Sequence, residues 1–194
     1  MFEIMDSHSN ELSAMVVGVG SVGCKIVNDM SDKVIPPNVN KLYIHSSQEV
    51  LKSYSSEHSE SILLNGHVHF LESEIKEKIS NIDVIFLVAG LGGDTGSLVP
   101  QHVARIAKEL GILCVGLFSF PFSFEGRSKK LRSQQAYLSL SKSTDALVCI
   151  ENDRFLESNL KNNSLSDINN LFYDSNSHFN ALIKGLVNLF QALV

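Results

Sequence analysis

Apolar runs of strand length alternate with segments of helical spacing along most of the chain. Ala14–Gly18 (AMVVG) is an apolar run closed by glycines. Behind it Ile26, Val27 and Met30 recur at helical intervals, which predicts a strand, a tight turn and a helix. Lys41–His45 reads as a second strand and Gln48–Tyr54 as a short helix after it; Ser61–Leu64 reads as a short edge strand and Leu71–Ile79 as a charged amphipathic helix. Asp83–Ala89 (DVIFLVA) is apolar after its first residue, the pattern of a strand covered on both faces, and places the centre of the sheet there. Beyond a glycine-rich loop the pattern predicts a helix over Val99–Leu110, a strand over Ile112–Phe118, a helix over Lys129–Lys142 and a strand over Ala146–Ile150. Strands alternating with helices require right-handed crossovers. The predicted fold is therefore a doubly wound, Rossmann-like α/β domain, a parallel sheet with helices on both faces, over 14–194 behind an N-terminal tail of 1–13.

Towards the end of the chain Ile168, Leu171, Phe172, Ser175, Phe179, Leu182, Ile183, Leu186, Phe190 and Leu193 recur in steps of three and four. This predicts one long C-terminal helix over about 167–194. Its last stretch, ALIKGLVNLFQALV, carries one charge, Lys184, and is apolar on more than one face. Leu186, Val187, Leu189, Phe190, Leu193 and Val194 are expected to need a cover, with self-association the first choice and a docked partner the second.

Composition narrows the classes. With 194 residues, 44% hydrophobic and 19% charged, 12 Gly and 4 Pro, the chain can bury one sizeable core and fits no disordered or collagen-like class. Its formal charge of -5 gives no basic field for phosphodiester backbones, so nucleic acid is not an expected partner. The N-terminal MFEIMDSHSNELSAM has neither the basic start nor the apolar run of a signal peptide, which gives a cytoplasmic expectation. Ala181–Val194 is shorter than the about 20 apolar residues of a bilayer span, so no transmembrane segment is expected. Cys24, Cys114 and Cys149 lack CxxC spacing and read as reduced thiols. His67 and His69 alternate as metal ligands do, but without a third ligand they read as a surface pair.

The chemistry lies in two loops. Gly18–Gly23 (GVGSVG) joins a strand to a helix, where glycines admit a ligand to the backbone and helix N–H groups face an anion. Ala89–Ser97 (AGLGGDTGS) again follows a buried strand and opens a helix, so two backbone nests are expected at one sheet edge, a site for several phosphates. A dinucleotide site would place an acid after the second strand, yet that strand ends His45-Ser46-Ser47, and no Walker GxxxxGK[ST] sequence occurs.

Gly92-Gly93-Asp94-Thr95-Gly96-Ser97-Leu98 resembles the GGGTG[ST]G signature of the FtsZ/tubulin family of GTPases. The stretches VIFLVAGLGGDTG, AKELGILCVGLFSFPFSFEGRSKK and STDALVCIENDRFLE resemble that family's nucleotide domain in order and spacing. The resemblance implies binding of GTP or GDP by a cytoskeletal or division-related protein. It implies that Gly18, Gly20, Ser21 and Gly23 wrap the first phosphates and that Gly92, Gly93, Asp94, Thr95 and Gly96, with Ser97 closing the motif, cradle the later ones. Pro121, Phe122, Phe124, Glu125 and Gly126 match the family's PFxFEG sugar loop, in which Glu125 accepts ribose hydroxyls. Lys129 stands where an arginine is usual, and Asn152 and Asn180 match the two amides that read the guanine edge.

The chain also departs from the family's pattern. Asp94 replaces a glycine and puts a negative charge beside the phosphates, which invites Mg2+. Asn176 takes the place of the stacking aromatic, leaving that part to Phe172 or Phe179. The γ-phosphate loop is reduced to about Asn65–Phe70. The NxDxx[DE] acids and the second domain of the family lie beyond Val194, so these 194 residues are expected to hydrolyse GTP weakly or not at all. Two other readings stand beside this one: a non-hydrolysing FtsZ-like interaction module or regulator, and a Rossmann-type dinucleotide-binding oxidoreductase. In the basic run Arg127, Lys129, Lys130 and Arg132, only Lys129 is placed at the site by the resemblance; the run otherwise reads as a solvated helix face.

Overall fold

The computed structural model describes residues 12–30, 39–54, 56, 59–66, 71–156 and 165–191, with side chains of the last helix described from 170 to 190. His67, His69 and the last three residues lie outside the described residues, as does most of the N-terminal tail. Six strands, β1 (Ala14–Val19), β2 (Val39–His45), β3 (Ser59–Leu63), β4 (Val84–Gly90), β5 (Leu113–Phe120) and β6 (Ala146–Glu151), form one sheet in the order β3-β2-β1-β4-β5-β6. All five pairings are parallel. The helices are α1 (Gly20–Asp29), α2 (Gln48–Ser53), α3 (Glu72–Ile79), α4 (Asp94–Leu110), α5 (Arg127–Ser143) and α6 (Leu165–Gln191).

Two apolar layers flank the sheet, because its central strands are apolar on both faces. On one side Ile75 and Ile79 of α3, Val103 and Ile106 of α4, and Ala136 and Leu140 of α5 pack on Met15, Val17, Leu42, Ile85 and Leu87. On the other, Ile26 and Val27 of α1, Leu51 of α2, and Phe179, Ile183 and Val187 of α6 pack on Val16, Tyr43, Phe86 and Val88. Ser13, assigned to the tail, is tied to the domain: its N–H and hydroxyl both donate to Asp83 Oδ2 at 2.8 Å.

The strand order reverses between β1 and β4, with Val19 opposite Ala89, so the loops that follow these strands leave the sheet side by side. Two expectations need correction. Helix α4 begins at Asp94 rather than Val99, since Gly93 is its extended N-cap and Asp94 supplies the acid that a first turn favours. The end of α6 is covered by its own domain over most of its described length: Val187 is 1% exposed, Leu186 and Phe190 pack against the core, and Phe190 stands edge-on to Phe86 at 6.3 Å. Among the described residues of that end, Leu189, 60% exposed, is the large apolar side chain that stays in water.

Candidate nucleotide site

The two glycine-rich loops meet across a cavity of about 330 Å³ at the carboxyl edge of the sheet. Gly20 and Ser21 from the start of α1 and Gly93, Asp94, Thr95 and Gly96 from the start of α4 form one end of its lining. Pro121, Glu125 and Lys129 form a side, and Asn152, Phe172, Ser175 and Asn176 form the other end. Nine of the fourteen residues singled out in the sequence therefore line one cavity.

The other five shape it from behind. A Cβ on Gly18 would lie 2.8 Å from the Gly23 carbonyl oxygen, and one on Gly23 only 2.2 Å from that of Val88, so this pair lets α1 sit directly on β1 and β4. Gly92 adopts φ 106°, and its N–H donates to Ser97 Oγ at 2.8 Å, which ties the second loop across its own base. Gly96 belongs to the lining yet has the same packing constraint, because its Cβ would meet the Gly90 carbonyl oxygen at 2.1 Å. Asn180 lies one turn beyond Asn176 on α6, outside the lining, and its Oδ1 is buried with no hydrogen-bond partner among the described residues.

Each polar wall has a definite hydrogen-bond state. Glu125 accepts the Phe122 N–H at 2.9 Å through one carboxylate oxygen and the Lys129 ammonium at 2.9 Å through the other, and retains lone pairs for further donors. Asn152 is 6% exposed and accepts the Ser175 hydroxyl at 2.9 Å, so its amide N–H groups are the donors it can offer a ligand. Phe172 stands edge-on to Phe122 at 5.0 Å beside the cavity, whereas Phe179 is 1% exposed against the sheet; of the two substitutes for the stacking aromatic, Phe172 is the one at the site.

Two contributors were missed by sequence reading. His45, 7% exposed, lines the cavity; its Nδ1 accepts the Ser47 N–H at 2.8 Å, which leaves Nε2–H to donate to Ser21 Oγ at 3.1 Å. Ser21 thereby has its own proton free to donate towards the cavity. The end of β2 had been read for the acid it lacks rather than for the imidazole it carries. Arg132 was assigned to a solvated face, but it donates to the Gly92 carbonyl at 3.0 Å and pairs with Asp94 at 2.9 Å. Its signal in the sequence was faint, one cation among several in the first two turns of a helix. The three cysteines are free, and burial pushes each thiol up to about 12, so none is a thiolate nucleophile at neutral pH.

The fold agrees with that of proteins of known structure. Residues 65–160 match the model of the Tubulin/FtsZ family, GTPase domain. The cell division protein FtsZ of Buchnera aphidicola subsp. Schizaphis graminum is 37% identical over 115 residues. Over this stretch the chain is FtsZ-like. That alignment takes in 59% of this chain and 29% of the relative, so the chain spans under a third of the curated relatives' length. The empty FtsZ dimer of M. jannaschii superposes with a TM-score of 0.81 at 23% identity, over 95% of this chain and 57% of that one. The GDP-form protofilaments of Bacillus thuringiensis serovar israelensis TubZ give 0.66 at 14% identity, over 90% and 52%. These structures share the fold of this FtsZ-like domain.

Proposed function

We propose that the domain binds GDP or GTP in the cavity between its two glycine-rich loops and serves as the nucleotide module of a cytoskeletal or division-related protein. The observation that carries this reading is the convergence, in one cavity, of two helix-opening glycine loops at one end and the buried Asn152 amide at the other. Backbone N–H groups at helix N-termini suit phosphates, and an amide suits a guanine edge. The local geometry fits such a ligand: a Cβ on Gly93 would meet nothing within 4 Å, so the loop faces open space. Asn180 Oδ1 remains a buried acceptor awaiting a donor.

Calorimetry with GDP, GTP, ATP and NAD tests the reading. Micromolar binding of a guanine nucleotide and none of NAD is expected; no heat with either guanine nucleotide at concentrations suited to that affinity overturns it. Hydrolysis by these 194 residues is proposed to be weak. Asp94 and Glu125, the two acids of the cavity, are paired with Arg132 and Lys129, so neither is placed to orient an attacking water. Phosphate release well below about 1 per second is expected. This pairing also favours the second reading, a non-hydrolysing FtsZ-like interaction module or regulator. Self-association is the proposed partner mode, as the names of the dimer and protofilament relatives describe for those proteins. With Val187 and Phe190 packed inside, the described end of α6 offers it Leu189 as its exposed large apolar side chain. Sedimentation equilibrium of wild type and Leu189→Glu should give the same association; dissociation by that substitution would return the interface to α6.

A further inference from the structure

Asp94 is the first residue of α4, where unpaired helix N–H groups favour an anion. Its side chain lines the cavity and is 90% exposed. Arg132 reaches across from α5, and the same Nη1 lies 2.9 Å from Asp94 Oδ1 and 3.0 Å from the Gly92 carbonyl oxygen. One guanidinium thus holds a peptide of the loop and partly offsets the charge of the loop's carboxylate. An ion pair this exposed adds little to folding stability, so its main effect falls on whatever occupies the cavity. Lys129, the cation lining the cavity, is already bonded to Glu125. The acids of the wall are matched by bases, and the residues that line the cavity include no Lys or Arg besides Lys129 to meet a highly charged ligand.

We propose that Asp94 and Arg132 act as one charge pair that limits how much negative charge the second loop admits, so that the site prefers a nucleoside diphosphate to a triphosphate. The inference rests on the nucleotide reading above. A carboxylate at the helix N-terminus already uses the field that a terminal phosphate would otherwise enjoy, and it repels that phosphate directly. Arg132 softens the repulsion without removing it, since its guanidinium is shared between the carboxylate and the Gly92 carbonyl.

The test is calorimetry of GDP and GTP in magnesium-free buffer at fixed ionic strength, on wild type, Asp94→Asn, Arg132→Ala and the double variant, with circular dichroism to verify folding. Wild type should bind GDP about tenfold more tightly than GTP, and Asp94→Asn should bring the two within about threefold. Arg132→Ala should weaken both nucleotides, GTP more, and the loss should shrink markedly when Asp94 is already Asn. Should Arg132→Ala fail to fold, the ratio measured for wild type and the near-isosteric Asp94→Asn still decides. GDP and GTP binding equally to wild type, with a ratio that Asp94→Asn leaves unchanged, overturns the charge pair alone. Failure of both nucleotides to bind wild type overturns the nucleotide reading and this inference with it.

Discussion

The two glycine-rich loops occupy equivalent places, each between a central strand and the helix that follows it, but they are held by different forces. The first loop is fixed by contact. Gly18 and Gly23 bring α1 onto β1 and β4 with no room for a methyl group, and its polar side chain, Ser21, is oriented by the neutral network from the Ser47 N–H through His45. The second loop also has a tight contact at Gly96, but the rest of it is fixed by polar bonds: the Gly92 N–H to Ser97 at its base, and Arg132 to the Gly92 carbonyl and to Asp94 at its open rim. Steric fixation is insensitive to solution conditions, whereas an exposed ion pair is screened by salt and can be altered by a charged ligand. The first loop is therefore the rigid wall of the cavity and the second the adjustable one.

The largest effect expected from breaking this contrast is on folding. Gly23→Ala would push a Cβ to 2.2 Å from the Val88 carbonyl oxygen and should cost about 3 kcal/mol, read as a lower urea midpoint. Gly93→Ala, at the open rim, should change stability by less than about 0.5 kcal/mol while still weakening nucleotide binding. Equal destabilisation by both would remove the distinction between the loops.

At the far end of the cavity, Asn152→Ala removes a buried amide and leaves the Ser175 hydroxyl without its acceptor. A loss of about 1 to 3 kcal/mol in guanine-nucleotide affinity is expected by calorimetry. An unchanged affinity would take Asn152 out of the site. A smaller effect is expected for His45→Phe, which strands the Ser47 N–H and frees the Ser21 hydroxyl to rotate. Nucleotide affinity should fall by about 1 kcal/mol, and in a Ser21→Ala background the same change should have almost no effect on binding.

The smallest effect concerns pH. The folded thiols of Cys24, Cys114 and Cys149 are pushed up to about 12, above the ordinary thiol range. Between these values the unfolded chain sheds protons that the folded chain keeps, so the thiol contribution is complete below the ordinary thiol range and is lost as pH rises towards 12. Urea midpoints should hold near neutrality and decline in alkali. A triple Cys→Ala variant, itself less stable, should show a shallower alkaline decline; an identical slope would assign the decline to other groups. In line with this, the native thiols should react slowly with a disulfide reagent at neutral pH and rapidly once unfolded.

Much of the architecture was legible in the chain because it follows from periodicity. The run VIFLVA could be covered only from both faces, and the helical spacing of Phe179, Ile183 and Leu186 allowed one reading. The glycine motifs were legible for the same reason, since backbone approach leaves a signature in residue type. Charge and hydrogen-bond pairing between distant elements was not. Asp94 in the sequence is an acid in a glycine-rich loop and Arg132 is one of several basic residues on a helix; only the packing of α5 beside α4 puts them 2.9 Å apart. His45 illustrates the same gap, because its tautomer is set by the turn at Ser47 and its target by the position of α1.

The sequence by itself determined the alternation of strands and helices, the two glycine-rich turns and the apolar stripe of α6, all properties of residues near one another in the chain. The tertiary structure decided which of those features act together. It turned Val187 and Phe190 of α6 inward against Phe86 and left Leu189 outside, a choice that several apolar faces of one helix could not make alone. It also decided that the acids of the cavity are balanced by bases, because Coulomb pairing depends on separation in space and not on separation along the chain.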